Sequence, residues 1–122
     1  IALFLAHKAK EVYGFEIIRS SLENAEKNAE KNEIKNTFFL KANLDTFFKS
    51  GQLPRKVPKP NVVIVDPPRA GMHPDMANYL YKFKAEKSNN FTEALKKISS
   101  KEKKLIVCFG SLYNCGNILN KN

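Results

Sequence analysis

The sequence predicts an α/β fold in which a parallel sheet carries helices on both faces. Segments typical of strands alternate with segments typical of helices along the 122 residues, as in βαβ units. The run 61–65, Asn-Val-Val-Ile-Val, is apolar and β-branched after its first residue. Such a run is typical of a central parallel strand that is buried on both faces.

The amino-terminal part of the chain predicts a helix, a strand and a second helix. The first ten residues are mostly apolar and predict a helix that has no capping residue in front of it. A β-prone run follows at 12–18. Ser20 and Glu23 then match a capping box, which predicts a helix that begins at Ser20 as N-cap and ends near Asn32.

The alternation continues to the end of the chain. In chain order the sequence predicts a strand at 37–40, a short helix or turn starting at 43–46, a loop rich in Pro and Lys at 51–60, the strand at 61–65, a helix at 73–83, a polar loop at 84–90, a helix at 91–99 and a strand at 104–109. Residues 110–122 are weakly patterned. Ligands of parallel sheets bind at the carboxyl ends of the strands, so we expect any site there.

Composition excludes several classes of protein. A mass of 13.9 kDa with 43% hydrophobic and 27% charged residues excludes a disordered tail, a collagen-like chain and a disulfide scaffold. No apolar run approaches the ~18 residues of a membrane span, and the apolar opening lacks the basic segment of a signal peptide. Two cysteines in a lysine-rich chain favour a reducing compartment. We therefore expect a cytoplasmic protein with no membrane-spanning segment.

The net charge points to a polyanionic partner. Lys and Arg number 21 against 12 Asp and Glu, which gives a formal charge of +9. Such an excess attracts RNA, DNA or an anionic membrane surface. The alternative is that lysine serves only solubility.

Glu16 is the first candidate site residue. It stands near the end of the first predicted strand, where nucleotide-binding α/β proteins carry an acidic residue that accepts hydrogen bonds from ribose hydroxyls. That residue lies about 20 positions after the first glycine of the cofactor loop, so the loop is expected before residue 1. The uncapped first helix supports the same expectation. The alternative is an ordinary acidic residue at a strand end.

The segment Asp66-Pro67-Pro68-Arg69 is the sharpest motif. Its carboxylate emerges at the carboxyl end of the most apolar strand. The two prolines fix the backbone and remove N–H donors, which leaves carbonyls that could accept hydrogen bonds from the edge of a planar heterocycle. The Arg69 guanidinium suits a phosphate. The alternative is a strand-ending turn with a solvated arginine.

Two cysteines could supply a nucleophile. Cys108 lies near the carboxyl end of the last predicted strand, and Cys115 follows in a loop. A thiolate at a strand end could attack an electron-poor carbon, whereas a cysteine inside an apolar strand is usually a small buried hydrophobic residue. His7 and His73 have no partners at ligand spacing, so no metal site is predicted.

Four stretches taken together resemble a known family. They are VYGFEI at 12–17, the helical NAEKN, NTFFLKANLDTFF at 36–48 and NVVIVDPPRAGM at 61–72. In this order they resemble the catalytic domain of the RNA uracil-5-methyltransferases, which use S-adenosylmethionine to make 5-methyluridine in tRNA and 23S rRNA. The resemblance covers roughly residues 1–83 and is strongest at DPPRAG.

The resemblance implies a Rossmann-like class I methyltransferase fold, with residues 1–122 forming part of an S-adenosylmethionine-dependent catalytic domain. By this resemblance Glu16 would bind the cofactor ribose, and Asn43 would lie beside the adenine or methionine end. Asp66 would lie between cofactor and target uracil. Pro67 and Arg69 are candidate contacts to the RNA substrate on the chemistry of the turn given above. A family cysteine adds to C6 of uracil, which makes C5 nucleophilic toward the methyl group.

The sequence departs from the family pattern at three places. The cofactor loop and its strand would precede residue 1, and the segment that supplies the general base would follow residue 122. An ungapped match places Gly110 at the nucleophile of the family's Ser-Cys-Asn-Pro motif. Cys108 stands two residues earlier, on the same strand face, and is our candidate nucleophile; Cys115 stands five later. The alternatives are a catalytically impaired, basic RNA-binding module of the same fold and a methyltransferase with another substrate.

Overall fold

The computed structural model describes residues 1–43, 56–66, 74–82, 93, 96, 98 and 104–110. Within these ranges the elements are α1 (Ala2–Ala6), β1 (Ala9–Glu16), α2 (Arg19–Lys31), β2 (Thr37–Lys41), β3 (Val62–Asp66), α3 (Pro74–Lys82) and β4 (Lys104–Gly110). Residues 93, 96 and 98 are helical, in agreement with the helix predicted there. None of the helices in the described ranges combines the length and the apolar character that a membrane crossing requires.

The four strands form one parallel sheet, in the order β2-β1-β4-β3. The α/β class and the parallel sheet are therefore confirmed. The pairing of β1 with β2 runs from Val12 opposite Thr37 to Glu16 opposite Lys41. On its other side β1 pairs with β4, and β4 pairs with β3. Within the described part of the sheet, β1 and β4 are central and β2 and β3 form the edges.

Strand β3 differs from the expectation of a central strand. Its neighbour in the described sheet is β4 alone, and its residues 62–65 are half-buried. Both of its faces are nevertheless covered, because Val63 and Val65 pack into one apolar cluster and Val62 and Ile64 into another. The apolar run predicted the two covered faces, but such a run does not determine how many strands lie beside it.

Alternate residues of β1 build a core on each face of the sheet. On one face the buried residues Tyr13 and Phe15 pack with Val57 and with Met76 of α3. On the other face Val12 packs in a cluster with residues of α1 and β4 and with the helical Ile98. The fully or almost fully buried members are Ala2, Leu5, Val12, Ile98 and Ile106. Burying a side chain of this size stabilises the fold by about 1.5–3 kcal/mol.

The first helix is shorter than predicted, and β1 starts earlier. Helix α1 ends at Ala6, and β1 begins at Ala9 instead of at residue 12. Ala9 pairs with Lys104 of β4, so tertiary pairing overrides the helical preference of this apolar stretch. At the other end, residues 17 and 18 lie outside the strand.

The predicted capping box is wrong. Helix α2 begins at Arg19 with Ile18 as N-cap, and no side chain caps it. Glu23 instead pairs with Arg19, with 3.0 Å between Oε1 and Nε. The N-cap lies two residues earlier than predicted, so Ser20 stands inside the first turn of the helix. The Glu16 carboxylate accepts the N–H of Ile18, the N-cap residue itself.

Asn36 joins the start of β2 to the turn between α1 and β1. Its Nδ2 donates to the carbonyls of Ala6 at 2.8 Å and Ala9 at 3.1 Å. Its own carbonyl accepts the N–H of Val12 at 2.9 Å. These bonds span about 30 residues of sequence, so they hold two distant segments together at the amino end of the sheet.

We expect Asn36→Ala to lower the free energy of unfolding by about 1–2 kcal/mol, because two half-buried carbonyls lose their donor. The matched control is Asn32→Ala, which removes a 2.7 Å bond from an exposed Asn to the Asn28 carbonyl on α2. We expect the control to change stability by less than about 0.5 kcal/mol. Urea unfolding of both variants measures the difference, and equal losses would contradict the assigned role of Asn36.

Helix α2 ends in a Schellman motif with an unfavourable residue. Glu33 has φ 56°, in the left-handed region. Its N–H donates to the Glu30 carbonyl at 3.0 Å, and the N–H of Ile34 donates to the Ala29 carbonyl at 2.9 Å. Glycine is the usual residue at this position, because a side chain costs about 1–2 kcal/mol in this conformation.

We therefore expect Glu33→Gly to raise the free energy of unfolding by about 0.5–1 kcal/mol, the relief of backbone strain being offset in part by the greater freedom of glycine in the unfolded chain. Glu30→Gly, inside α2, should lower it by about 1 kcal/mol. Thermal unfolding of the pair provides the measurement. A loss of stability in Glu33→Gly would show that the strain argument is wrong.

The phenol of Tyr13 has a raised pKa, and we expect this to make the stability of the fold sensitive to alkaline pH. Burial raises the pKa of this phenol above the ordinary value of 10.0, and the hydrogen bond and negative charge of Glu11 raise the pKa further. The hydroxyl donates to Glu11 Oε2 at 3.1 Å, and the ring stacks on Phe38 with centroids 5.0 Å apart. Burial also raises the pKa of Tyr79.

A phenol whose pKa is higher in the folded state stabilises the fold fully below pH 10, and this contribution is lost as the pH rises through the folded pKa. We expect the free energy of unfolding to fall above pH 10, and to fall less in Tyr13→Phe. The control is Tyr81→Phe, at a side chain that is 85% exposed. Urea unfolding between pH 8 and pH 11 tests this, and an identical decline in Tyr13→Phe and in the unmodified protein would contradict it.

Candidate functional site

The carboxyl ends of the parallel strands meet at one edge of the sheet, which we call the carboxyl edge. Glu16 is the last residue of β1, Asp66 the last of β3 and Gly110 the last of β4. Asn43 lies two residues after the end of β2. The three residues predicted to bind a cofactor are therefore brought by the backbone to the same edge.

The strand register fixes how these residues are spaced. Phe15 of β1 and Val65 of β3 both pair with Phe109, so Glu16 and Asp66 stand at the same level on opposite sides of β4. Two strand spacings separate their backbones by about 10 Å. Gly110 pairs with Asp66 and therefore lies between the two acidic residues.

One of the two carboxylate oxygens of Glu16 accepts hydrogen bonds from the adjacent backbone. The residue is 7% exposed, and its Oε1 accepts the N–H groups of Ile17 at 2.8 Å and Ile18 at 3.1 Å. Within the described part of the chain, Oε2 has no hydrogen-bond partner. The two bonds fix the orientation of the carboxylate, and Oε2 is left to accept from a ligand hydroxyl. This geometry fits the ribose of a nucleoside cofactor.

The segment after β2 brings the side-chain amide of Asn43 to the carboxyl edge. Glu16 pairs with Lys41, and the N–H of Ala42 donates to the Glu16 carbonyl at 3.1 Å. Asn43 is the next residue and is exposed. Asn43 therefore lies two residues beyond the partner of Glu16, on the side of β1 away from Asp66.

The motif that follows β3 is described only at its first residue. The backbone of Asp66 lies at the carboxyl edge, as the sequence predicted. Pro67 and Arg69 lie outside the described residues, and their predicted contacts with substrate stay predictions.

Cys108 lies behind the carboxyl edge. Its backbone pairs with Gly14 on one side and Ile64 on the other, in the middle of the sheet. It stands two residues before Gly110, or about 7 Å along the strand. Cys115, the second candidate, lies outside the described residues. The catalytic role of Cys108 therefore stays a prediction.

Two apolar residues beside Glu16 were not recognised in the sequence. Ile17 and Ile18 were assigned to the strand, but they follow it and are 52% and 53% exposed. Exposed isoleucines next to an oriented carboxylate provide an apolar surface on which a flat ring could pack. The signal in the sequence is the pair of isoleucines between a strand-ending acid and a helix.

A groove of about 430 Å³ in the described structure does not include the candidate residues of the carboxyl edge. It runs between α2 and β2 and is lined by Glu26, Ala29, Glu30, Ile34, Thr37, Phe38, Phe39 and Leu40. None of these is a predicted site residue. Among the described residues, no group of three or more His, Cys, Asp or Glu side chains is placed to hold a metal ion.

Comparison with known proteins finds similar sequences in bacterial RNA methyltransferases. An uncharacterized RNA methyltransferase of Chlorobaculum tepidum is 38% identical over 87 residues, which cover 71% of the chain and 18% of that protein. One from Clostridium acetobutylicum is 45% identical over 74 residues, 58% of the chain and 15% of that protein. One from Staphylococcus aureus is 42% identical over 71 residues, again 58% and 15%.

The chain spans less than a fifth of the length of these relatives. No protein-family model matches it, and no solved structure does. The similarity, 38–45% identity over 58–71% of the chain, is to part of proteins named as RNA methyltransferases, and this chain resembles that family over the matched part.

Proposed function

We propose that this chain is part of the catalytic domain of an enzyme that methylates C5 of uridine in tRNA or rRNA and uses S-adenosylmethionine as methyl donor. The observation that carries the proposal is the meeting of Glu16, Asn43 and Asp66 at one edge of a parallel sheet. The RNA methyltransferases that the chain resembles support it, as does the DPPRAG motif after β3.

Glu16 and its neighbours would hold the cofactor, in a Rossmann-like class I fold. Oε2 of Glu16, which has no hydrogen-bond partner among the described residues, would accept the ribose hydroxyls, and Ile17 and Ile18 would pack against the base. Asn43 would donate or accept hydrogen bonds at the adenine or methionine end. When bound, the cofactor supplies an electrophilic methyl group.

The chemistry on uracil would need a nucleophile because C5 is weakly nucleophilic by itself. Addition of the Cys108 thiolate to C6 would form a carbon–sulfur bond and turn the ring into an enolate. C5 of the enolate would take the methyl group as the bond from that methyl to the donor sulfur breaks, which leaves a neutral thioether. A base then removes the C5 proton, and the electrons of that bond expel the thiolate. Asp66 would hold the ring between its two reaction partners.

The RNA would be held through its bases and its backbone. Pro67 would offer its carbonyl to the edge of the uracil, and Arg69 would bind a phosphate. The target base must leave its stack to reach such a site. A net charge of +9 favours the approach of RNA. The two cysteines favour a reducing compartment, and we place the enzyme in the cytoplasm, where its RNA substrate would be modified.

A specific observation favours a second candidate, a basic RNA-binding module that has lost the chemistry. Gly110 stands at the carboxyl edge, between Glu16 and Asp66, where the resemblance would put the nucleophile. Cys108 lies two residues behind it. Such a module would bind RNA without transferring a methyl group.

The test is a methylation assay on the full-length protein. The protein is incubated with methyl-labelled S-adenosylmethionine and unmodified tRNA or rRNA, and the nucleosides released by nuclease are separated. We expect label in 5-methyluridine, and no label with RNA that already carries 5-methyluridine at the target. Label in another nucleoside would reject uridine as the target. RNA binding without any label would favour the second candidate.

A further inference from the structure

The amino ends of the strands form the edge opposite the candidate site, and exposed cations gather there. Lys8 lies in the turn before β1, Lys10 is the second residue of β1, and Lys35 lies two residues before β2. All three side chains are exposed, as is that of His7. We call these three lysines the basic edge.

The basic edge is held together by Asn36. The Nδ2 of Asn36, the residue after Lys35, donates to the carbonyls of Ala6 and Ala9, which flank the turn that contains Lys8. The N–H of Val12 donates back to the carbonyl of Asn36. Because these bonds join the two segments, lysines that are far apart in sequence project from neighbouring backbone.

The three lysines carry charge that the described structure neutralises only in part. Among the described residues none of the three forms an ion pair, whereas Arg19 pairs with Glu23 on α2. Glu11, the nearest acid along β1, accepts the Tyr13 hydroxyl at Oε2, and its negative charge offsets part of the charge of the lysines. Glu33, two residues before Lys35, is exposed and gives partial compensation. The edge therefore keeps a local excess of positive charge.

We propose that the basic edge binds the phosphate backbone of RNA at a distance from the reacting base. The inference rests on the proposed function, which makes RNA the substrate. The seven residue steps from Ala9 to Glu16 separate the two edges by about 23 Å. The basic edge cannot touch the target uracil at that distance, so it contributes affinity for a large RNA and leaves the chemical step unchanged.

The test compares two variants that lose the same charge. Lys8→Gln/Lys35→Gln removes two cations of the basic edge, and Lys27→Gln/Lys56→Gln removes two exposed lysines elsewhere. The full-length proteins are titrated with unmodified tRNA or rRNA between 50 and 300 mM salt. Each lost phosphate contact should reduce the slope of log K against log salt by about 0.7–0.9. We expect the basic-edge variant to bind about five- to tenfold more weakly near 0.15 M salt, with a slope lower by about 1.5.

Each outcome bears on the proposal separately from the function. Weaker binding and a lower slope in the basic-edge variant alone, with kcat unchanged, support it. Equal effects in the two variants, or no change in slope, overturn it. If the unmodified protein makes no 5-methyluridine, but the basic-edge variant still binds RNA more weakly than the control variant, the proposed activity fails and the RNA surface stands. If both variants make 5-methyluridine with the KM of the unmodified protein, the surface fails and the activity stands.

Discussion

Glu16→Gln should weaken the binding of S-adenosylmethionine about 10- to 100-fold and leave the fold intact. The substituted amide keeps an oxygen that can accept the N–H groups of Ile17 and Ile18, as Oε1 does now. Its NH₂ group then occupies the position of Oε2 and cannot accept from the ribose hydroxyls. Hydrogen bonds to a charged acceptor contribute about 1.5–3 kcal/mol each, which sets the size of the loss.

The control for Glu16 is Glu23→Gln, which changes an exposed carboxylate on α2 that pairs with Arg19. Its affinity for the cofactor should stay within about twofold of the unmodified protein. Isothermal titration calorimetry measures both affinities, and circular dichroism checks the fold. Unchanged affinity in Glu16→Gln would remove this residue from the cofactor site.

Cys108→Ala should lower the rate of 5-methyluridine formation by about 10⁴-fold or more, because without covalent addition at C6 the C5 carbon is a poor nucleophile. The substitution is small, so binding of S-adenosylmethionine and of RNA should be retained. Single-turnover assays on the full-length protein measure the rate, and titration measures the two affinities.

The matched variant is Cys115→Ala, which should keep full activity. Loss of activity in Cys115→Ala but not in Cys108→Ala would move the nucleophile to the later cysteine. Full activity in both variants would reject a thiol of this segment as the nucleophile. Loss of cofactor binding together with activity in Cys108→Ala would indicate that Cys108 only packs within the sheet.

Local patterns predicted most of the elements because their apolar periodicity is strong. The strands at 37–41, 62–66 and 104–110 and the helix at 74–82 fall close to the predicted positions. The two misses have different origins. Ala9 joins β1 because it pairs with Lys104 of β4, which is distant in the sequence. The capping box does not form because helix α2 has its N-cap at Ile18, directly after the turn that follows Glu16, and Ser20 therefore lies inside the helix.

The candidate site was predictable in its location but not in its detail. Residues that end parallel strands share one edge, so Glu16 and Asp66 could be placed together from strand ends alone. The hydrogen bonds that orient Glu16 depend on the turn at Ile17 and Ile18, where the strand was expected to continue. The hydrogen bonds of the Asn36 side chain join segments about 30 residues apart, and no sequence periodicity predicts such a contact.

The most direct test of the account is an NMR titration of the protein with S-adenosylmethionine, observed at the backbone amides. The account predicts the largest shifts along the carboxyl edge, at Glu16, Ile17, Asn43 and Asp66, and little change at Lys8 and Lys35, about 23 Å away. Shifts confined to the amino edge or to the groove between α2 and β2, or no shift at millimolar cofactor, would contradict the proposal that a methyl donor binds where these strands end.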